Sequence, residues 1–290
     1  MKPAPFAYAK ARSVEDALRL LREHGEGARL LAGGQSLIAT LNMRLSSPAI
    51  LIDLNEIAAL SGIALRDGDV VIGAMTRHAE VQQSDIVASH APLVAAAMPH
   101  VGHAAIRNRG TIGGSIAFAD PAAELPACLL ALGGRVEIAG ATGTRMVAAD
   151  AYFRGLYETA VGANEVLTAI RLPAATPASR FGFLEFPRRH GDYAMAGLAA
   201  TARADGASLK DVRLAYFGVG MTPVRARKAE AALAGGDVEA AVTALVSDLD
   251  PPDDIQASGA VKRHLAGVLL RRVTAQMDAR IESAHDGGKA

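Results

Sequence analysis

The sequence predicts an α+β fold, in which strands and helices are segregated along the chain and do not alternate as regular βαβ units. Two observations lead to this prediction. In residues 1–177, short apolar segments typical of buried strands are mixed with amphipathic segments and joined by short turns. After residue 177, three strand-type segments come first and helix-type segments follow, an order that favours an antiparallel sheet packed against helices.

Helices and strands can be assigned along the chain from hydrophobic periodicity and turn residues. Ser13 has capping-box spacing ahead of an amphipathic helix, and Ser36 is expected to cap a second helix. Residues 76–105 are helical in character, Asp120-Pro121 predicts another helix start, and Gly133-Gly134 predicts its end. Strands are predicted at residues 28–32, 50–54, 69–73, 135–139, 164–172, 181–186, 194–203 and 211–219, the last helices at about 225–248 and 256–280, and a frayed tail from Ala284.

Composition narrows the classes of function that the chain can have. Of its 290 residues, half are apolar, so the chain can bury a sizeable core. Thirty basic and thirty acidic residues give a formal net charge of zero, which argues against nucleic acid or an anionic membrane as the main partner. The single cysteine, Cys128, cannot form an internal disulfide or hold an iron–sulfur cluster. Because neither a secretion signal nor a membrane span is evident, we expect a cytoplasmic protein.

Two glycine pairs follow apolar segments and have hydroxyl residues beside them. The first glycine loop is residues 32–36 (AGGQS), and the second glycine loop is residues 111–115 (TIGGS). Adjacent glycines permit positive φ and close approach, so successive amides can converge on an anion such as a pyrophosphate. Neither loop fits the Gly-x-Gly-x-x-Gly fingerprint, and neither has the lysine of a P-loop. A phosphate site of another type is therefore one interpretation.

The residues alone leave a second interpretation of the glycine pairs open. A Gly-Gly pair is commonly only a turn, and the chain has further pairs starting at positions 133, 235 and 287. The two histidines His100 and His103 have a spacing that a metal could use, but no second pair of ligands stands near them in sequence, so no metal site is predicted. No set of nucleophile, base and orienting residue can be proposed, so we expect no catalytic side chain.

Five stretches resemble, in order and spacing, the flavin-binding medium subunit of molybdenum hydroxylases, which include carbon monoxide and xanthine dehydrogenases. They are AGGQSL (32–37), MRLSSPAILIDLNEI (43–57), IGAMTRHAEV (72–81), RNRGTIGGSIAFADPAAELP (107–126) and FPRRHGDYA (186–194). The resemblance implies the FAD-binding fold of vanillyl-alcohol oxidase. In that fold two α+β subdomains, here residues 1–57 and 58–176, precede a C-terminal domain, here residues 177–290, with a three-stranded antiparallel sheet and a helix bundle.

The resemblance also implies which residues bind the cofactor. The two glycine loops would surround the pyrophosphate and ribityl chain with main-chain amides and the hydroxyls of Ser36, Thr111 and Ser115. Glu124 and Asp120 fall where the family places acceptors for flavin or ribityl protons, although Asp120 also reads as a plain helix cap. Tyr193 resembles a tyrosine near the flavin ring. The full set implied is Leu31, Ala32, Gly33, Gly34, Gln35, Ser36, Leu37, Val101, Ile106, Thr111, Gly113, Gly114, Ser115, Asp120, Glu124, Leu167, Ile170, Glu185 and Tyr193; for Leu167 and Ile170, an ordinary core role is the favoured alternative.

The function implied is that of an electron-carrying subunit with noncovalent FAD. By resemblance, a large molybdopterin-binding subunit hydroxylates the substrate, and electrons reach this FAD through two two-iron two-sulfur clusters of a small subunit. The resemblance also implies that the three subunits assemble as a dimer of heterotrimers. The flavin would then reduce NAD, oxygen or a quinone. Two alternatives stay open: a self-sufficient FAD-dependent oxidoreductase of the same fold, and a non-enzymatic binding or assembly module.

Overall fold

Three larger sheets, built from successive stretches of the chain, organise the fold, and helices pack between and beside them. The structure is a computed structural model that describes residues 2–286, with side chains described for residues 2–278. The first sheet is parallel, whereas the second and third are antiparallel. This arrangement confirms the predicted α+β class.

The first sheet has the strand order β1-β3-β2 and is built from residues near the N-terminus. Its elements are β1 (Ala7–Lys10), α1 (Val14–His24), β2 (Ala28–Leu31), α2 (Leu37–Asn42) and β3 (Ile50–Asp53). The Ser13 hydroxyl accepts a hydrogen bond from the Asp16 amide at 3.1 Å, which confirms the predicted cap of α1. Strand β1 was not predicted, because three of its four residues are exposed and no apolar pattern marks it.

The second sheet has the order β4-β5-β10-β6-β7, with a small hairpin beside it. Its strands are β4 (Ile63–Arg66), β5 (Asp69–Gly73), β6 (Arg135–Gly140), β7 (Gly143–Ala148) and β10 (Val166–Pro173), and the hairpin is β8 (Phe153–Gly155) with β9 (Glu158–Thr159). The buried strands β5, β6 and β10 match the predicted segments. The outer strands β4 and β7 were missed because most of their residues are partly or fully exposed.

A layer of short helices lies between the second and third sheets. It consists of α3 (His78–Gln83), α4 (Asp85–His90), α5 (Pro92–Ala97), α6 (Ala104–Arg107), α7 (Ile112–Phe118) and α8 (Glu124–Ala131). Pro92 occupies the first turn of α5, where its missing amide costs no hydrogen bond. The predicted helical character of residues 76–105 is confirmed.

The start of α8 differs from the prediction at Asp120-Pro121. The Asp120 carboxylate accepts from the Ala122 amide at 2.9 Å, so it closes a turn and does not cap a helix. The preceding residue, Ala119, is left-handed with φ 52° and ends α7, which leaves four residues before Glu124 begins α8. The prediction was wrong because an aspartate followed by proline suits a turn as well as a helix start.

The third sheet is buried on both faces. It contains β11 (Ser179–Pro187), β12 (Ala194–Asp205), β13 (Ser208–Phe217) and β14 (Val224–Arg225), followed by α9 (Arg227–Ala234), α10 (Val238–Asp248) and α11 (Gly259–Asp286). Side chains such as Ala199 and Phe217 face the core shared with α5 and α8. The alternate residues Leu198 and Tyr216 face the core under α9, α10 and α11.

Three details of the C-terminal region correct the sequence-based expectations. The sheet has four strands and not three, because the two-residue β14 is too short to show an alternating pattern. The helical region predicted at 225–248 is two helices, separated at Gly235 and Gly236, of which Gly236 has φ 86°. Helix α11 continues to Asp286, so the tail predicted from Ala284 is helical for three residues, and residues 287–290 lie outside the described residues.

The first and second sheets share a core. Ala139 of β6 and Val166 of β10 pack in the same cluster as Ile50, Ile52 and helix α1. The glycine loops lie where these two sheets meet, so this shared core fixes their surroundings. The division at residues 57 and 176 stays a prediction. Among residues 2–286, no helix has the length and apolarity needed to cross a membrane.

Replacing Gly197 by alanine is expected to destabilise the third sheet. A Cβ atom at Gly197 would lie 2.0 Å from the Phe217 ring, which is fully buried and stacked on Phe183. We expect Gly197→Ala to lower the free energy of unfolding by about 1–3 kcal/mol, measured by urea denaturation. The double variant with Phe217→Leu has more room, so its loss should be smaller than the sum of the two single losses. Additive losses would contradict this packing.

Candidate cofactor site

The two glycine loops lie side by side. A Cβ atom at Gly33 would lie 2.3 Å from the carbonyl oxygen of Arg109 and 2.8 Å from the Cα of Gly110, just ahead of the second glycine loop. A Cβ atom at Gly114 would lie 3.6 Å from the Cβ of Ala32. Only glycine therefore permits the backbone contact at position 33, and residues about 75 positions apart in the chain form one local surface.

The first glycine loop presents hydrogen-bond donors that the protein does not use. Within the described residues, the amides of Gly33, Gly34, Gln35 and Ser36 donate no hydrogen bond. Gly34 has φ 74°, a conformation that turns successive amides toward one side. Ser36 precedes α2, whose first residue is Leu37, but its hydroxyl makes no capping bond, so the predicted cap is wrong. The same hydroxyl is available to a ligand.

The second glycine loop is bonded more fully to the protein. Thr111 caps α7, because its hydroxyl oxygen accepts from the Gly114 amide at 3.1 Å. The Gly113 amide donates to the carbonyl of Ala74 at 2.9 Å, and a Cβ atom at Gly113 would lie 2.5 Å from the Ala74 Cβ. Gly113 is thus required by close packing, and the expectation that its amide faces a phosphate is corrected. The hydroxyls of Thr111 and Ser115 remain able to donate.

Two buried carboxyl groups and a histidine form a cluster between α8 and β11. Glu124, the first residue of α8, is 7% exposed, and burial together with the charge of Glu185 raises its pKa to about 7. His100 Nδ1 lies 3.2 Å from Glu185 Oε1, and this hydrogen bond raises the pKa of His100. Glu185 Oε2 is buried without a hydrogen-bond partner among the described residues. A buried acceptor without a partner favours a ligand that donates a hydrogen bond to it.

Asp120 joins two tyrosines near this acid cluster. The hydroxyls of Tyr157 and Tyr193 both donate to the Asp120 carboxylate, at 3.5 Å for Tyr157. Burial raises the pKa of Asp120. Tyr193 is 51% exposed, so its ring face is accessible while its hydroxyl is held by Asp120.

The other predicted site residues are distributed between the core and the surface. Leu167 and Ile170 of β10 are buried in the core of the second sheet, and this packing is enough to explain why both residues are apolar. A contact of either residue with a cofactor stays a prediction. Val101 is likewise buried. Ile106 is partly exposed and packs over Gly102, whereas Leu31 packs beside Gly34 in the first glycine loop.

Sequence reasoning missed His78, which lies under the second glycine loop. Its ring would be 2.8 Å from a Cβ atom at Gly110, and its amide donates to the Gly110 carbonyl at 2.9 Å. Burial lowers the pKa of His78 to about 4, so the imidazole is neutral at physiological pH. No standard sequence motif pairs this histidine with Gly110, so the contact could not be predicted from the sequence.

Both halves of the chain match profiles of one protein family. Residues 4–175 match the FAD binding domain in molybdopterin dehydrogenase, and residues 182–277 match the CO dehydrogenase flavoprotein C-terminal domain. The chain belongs to the FAD-binding medium subunits of molybdopterin dehydrogenases. The predicted family and the predicted oxidoreductase class are confirmed.

Full-length relatives support this assignment of the medium subunit. The chain is 37% identical to the 6-hydroxypseudooxynicotine dehydrogenase complex subunit alpha of Paenarthrobacter nicotinovorans over 282 residues, covering 95% of each chain. It is 36% identical to the carbon monoxide dehydrogenase medium chain of Hydrogenophaga pseudoflava over 277 residues, covering 94% of this chain and 96% of the relative. A solved structure of carbon monoxide dehydrogenase from the same organism, lacking the Mo-pyranopterin moiety, superposes with a TM-score of 0.94 at 38% identity, covering 97% and 99% of the two chains.

The medium subunit has residues that fit an FAD molecule. The unbonded amides of the first glycine loop suit a diphosphate, whose oxygens are strong acceptors. The unpartnered oxygen of Glu185 suits a hydroxyl or ring N–H donor. Donors to a phosphate and acceptors of hydrogen bonds are therefore supplied by different parts of the chain, which suits a dinucleotide with a central diphosphate and a flavin ring at one end.

Glu124→Gln is expected to change how the stability of the medium subunit depends on pH. Because burial raises the pKa of Glu124 to about 7 in the folded protein, its stabilising contribution is present below its unfolded pKa and is lost as pH rises through about 7. Glutamine stays neutral. Relative to the wild type, we expect the variant to gain up to about 3 kcal/mol of unfolding free energy between about pH 5 and pH 8, measured by urea denaturation.

The exposed substitution Glu26→Gln serves as the control, because it removes a carboxyl group far from this cluster. Parallel stability profiles for Glu124→Gln and Glu26→Gln would show that Glu124 ionises normally in the folded state.

Proposed function

We propose that this chain binds FAD noncovalently across the two glycine loops and carries electrons from partner iron–sulfur clusters to an external acceptor. The observation that supports this most is the contact of Gly33 with the residues ahead of the second glycine loop, beside four amides that have no acceptor among the described residues. Backbone amides and hydroxyls can neutralise a diphosphate without a lysine.

Within this proposal, the polar site residues have distinct roles. The amides of Gly33–Ser36 would donate to the diphosphate, with hydroxyls from Ser36, Thr111 and Ser115. Glu124 and Glu185 would accept hydrogen bonds from hydroxyl or ring N–H groups. Tyr193, oriented by its bond to Asp120, would lie at one face of the flavin ring and limit access to it. No side chain of this chain is proposed to take part in bond making at a substrate.

The assembly and fold proposals follow the family assignment. One relative is named as a subunit of a dehydrogenase complex and another as a medium chain, which supports a partner-dependent role for this chain. We infer a large molybdopterin-binding subunit and a small iron–sulfur subunit, assembled as a dimer of heterotrimers in the cytoplasm. Residues 1–57 and 58–176 would be the two subdomains of the vanillyl-alcohol-oxidase fold, and residues 177–290 the C-terminal domain.

Bound FAD would supply the conversion between single-electron transfer from iron–sulfur clusters and two-electron reduction of NAD, oxygen or a quinone. The protein residues would hold it in place and exclude other acceptors from one ring face. The substrate is chosen in another polypeptide, so this chain carries no substrate pocket in the proposal.

Copurification tests the proposed function. The tagged full chain, expressed together with the genes beside its own, should retain a yellow chromophore of one FAD per chain and bring with it molybdopterin-binding and iron–sulfur subunits. The assembled complex should reduce an acceptor, whereas the isolated chain with FAD should not turn over. Turnover by the isolated chain would favour the self-sufficient oxidoreductase, and a chain that takes up no FAD would favour the binding module.

Gly114→Val is expected to abolish FAD retention. A Cβ atom there would lie 2.8 Å from the Thr111 hydroxyl oxygen and 3.6 Å from Ala32, so a branched side chain would force the two loops apart. Flavin absorbance per mole of purified chain measures the effect. The matched control is Ala117→Val, an exposed position of the same helix, which should keep its flavin. Normal flavin content in a folded Gly114→Val variant would refute the assignment of the loops.

A further inference from the structure

A hydrogen-bond network centred on Arg77 connects the two glycine loops. Arg77 precedes α3, and its two guanidinium nitrogens reach different parts of the chain: Nη1 donates to the Arg109 carbonyl, and Nη2 donates to Asn55 Oδ1 at 2.5 Å. Asn55 Nδ2 in turn donates to the Ala32 carbonyl at 3.1 Å. One side chain thus bonds to the entrance of the second glycine loop and, through Asn55, to the first residue of the first glycine loop.

The carbonyl that Arg77 binds is also the one that contacts Gly33. That oxygen lies within 2.3 Å of where a Gly33 Cβ atom would be, so the guanidinium fixes the group against which the first glycine loop packs. Arg77 also forms an isolated antiparallel bridge with Thr111. A displacement of Arg77 would therefore alter the contact between the loops and the start of α7 together.

The Arg77 guanidinium makes no direct contact with a carboxylate among the described residues. Among the described residues, neither Arg77 nor Arg109 forms an ion pair with a carboxylate. The carboxylate of Asp53, on β3, is already occupied by Tyr8 and Asn55, and Glu80 accepts from the Arg77 backbone amide. Burial and the neighbouring Arg109 charge lower the pKa of Arg77, and they outweigh the charges of Glu80 and Asp53, which raise it. Partly buried cations normally have an anionic partner, so an anion is expected beside Arg77, between the two glycine loops.

We propose that Arg77 is a positioning residue for the diphosphate of the cofactor: it holds the two glycine loops in contact, and the bound diphosphate supplies the ion-pair partner that the described residues do not. The inference rests on the proposed FAD binding and adds a residue outside both glycine loops to it. The planar guanidinium is suited to this task because it donates to two acceptors in fixed directions, whereas a lysine ammonium acts as a single point charge.

The test is an FAD titration of the flavin-free full chain, followed by quenching of flavin fluorescence. Arg77→Met should weaken FAD binding by about ten- to a hundredfold, the loss expected for a charge-assisted hydrogen bond. Arg77→Lys keeps the charge but cannot donate hydrogen bonds to the Arg109 carbonyl and Asn55 in the same fixed geometry, so it should bind FAD with intermediate affinity. Arg66→Met, the same change at an exposed position on β4, should bind like the wild type.

Salt dependence separates a charge contribution from general damage to the fold. Raising NaCl from about 0.05 to 0.5 M should weaken FAD binding by the wild type and by Arg77→Lys more than by Arg77→Met, because screening acts only where the charge is present. Thermal unfolding of the flavin-free variants verifies that each is folded, and Arg77→Lys serves as the test variant if Arg77→Met is not.

The two proposals fail in different ways. A wild-type chain that takes up no FAD would overturn both the proposed function and this inference. A wild type that binds FAD, together with Arg77→Met that binds as tightly as Arg66→Met, would overturn the role of Arg77 alone. Full recovery of affinity in Arg77→Lys would likewise overturn the positioning role, because charge alone would then suffice.

Discussion

The site depends on one backbone contact, in which the Arg109 carbonyl lies against the side-chain-free face of Gly33. No larger residue fits at Gly33 without moving the peptide that leads into the second glycine loop. The hydrophobic core shared by α1, β3, β6 and β10 packs the first two sheets against each other and so maintains this contact. The site is thus a property of the packing between two sheets and not of either loop alone.

The two loops divide the chemistry of the site between them. The second glycine loop uses its backbone to attach itself to the end of β5, through the bond from Gly113 to Ala74, and to cap α7. In the first glycine loop, the amides of residues 33–36 donate no hydrogen bond within the part of the chain that the structure describes. The fixed second glycine loop beside the free amides of the first favours anion binding, because these amides need little reordering when an anion binds. At the other end, the acids Glu124 and Glu185 supply acceptors in a buried setting.

The sequence was sufficient for the features that have a strong local pattern. Strand β5 and helix α1 were predicted closely, because buried apolar residues and a serine cap mark them. Edge strands such as β1 and β7 were missed, since exposed strands lack such a pattern. The reason for Gly113 was also misjudged: its contact with Ala74 arises from tertiary packing that spacing cannot reveal. The role of Arg77 could not be predicted from the sequence for the same reason, because its hydrogen-bond partners are far away in the chain.

The most direct test of the central claim is amide hydrogen exchange of the chain with and without FAD. We expect the amides of Gly34, Gln35 and Ser36 to exchange quickly in the flavin-free chain and to become protected when FAD is added. The Gly113 amide, already bonded to Ala74, should be protected in both states. If FAD binds and leaves exchange in residues 33–36 unchanged, the two glycine loops do not form the diphosphate site, and the account is contradicted.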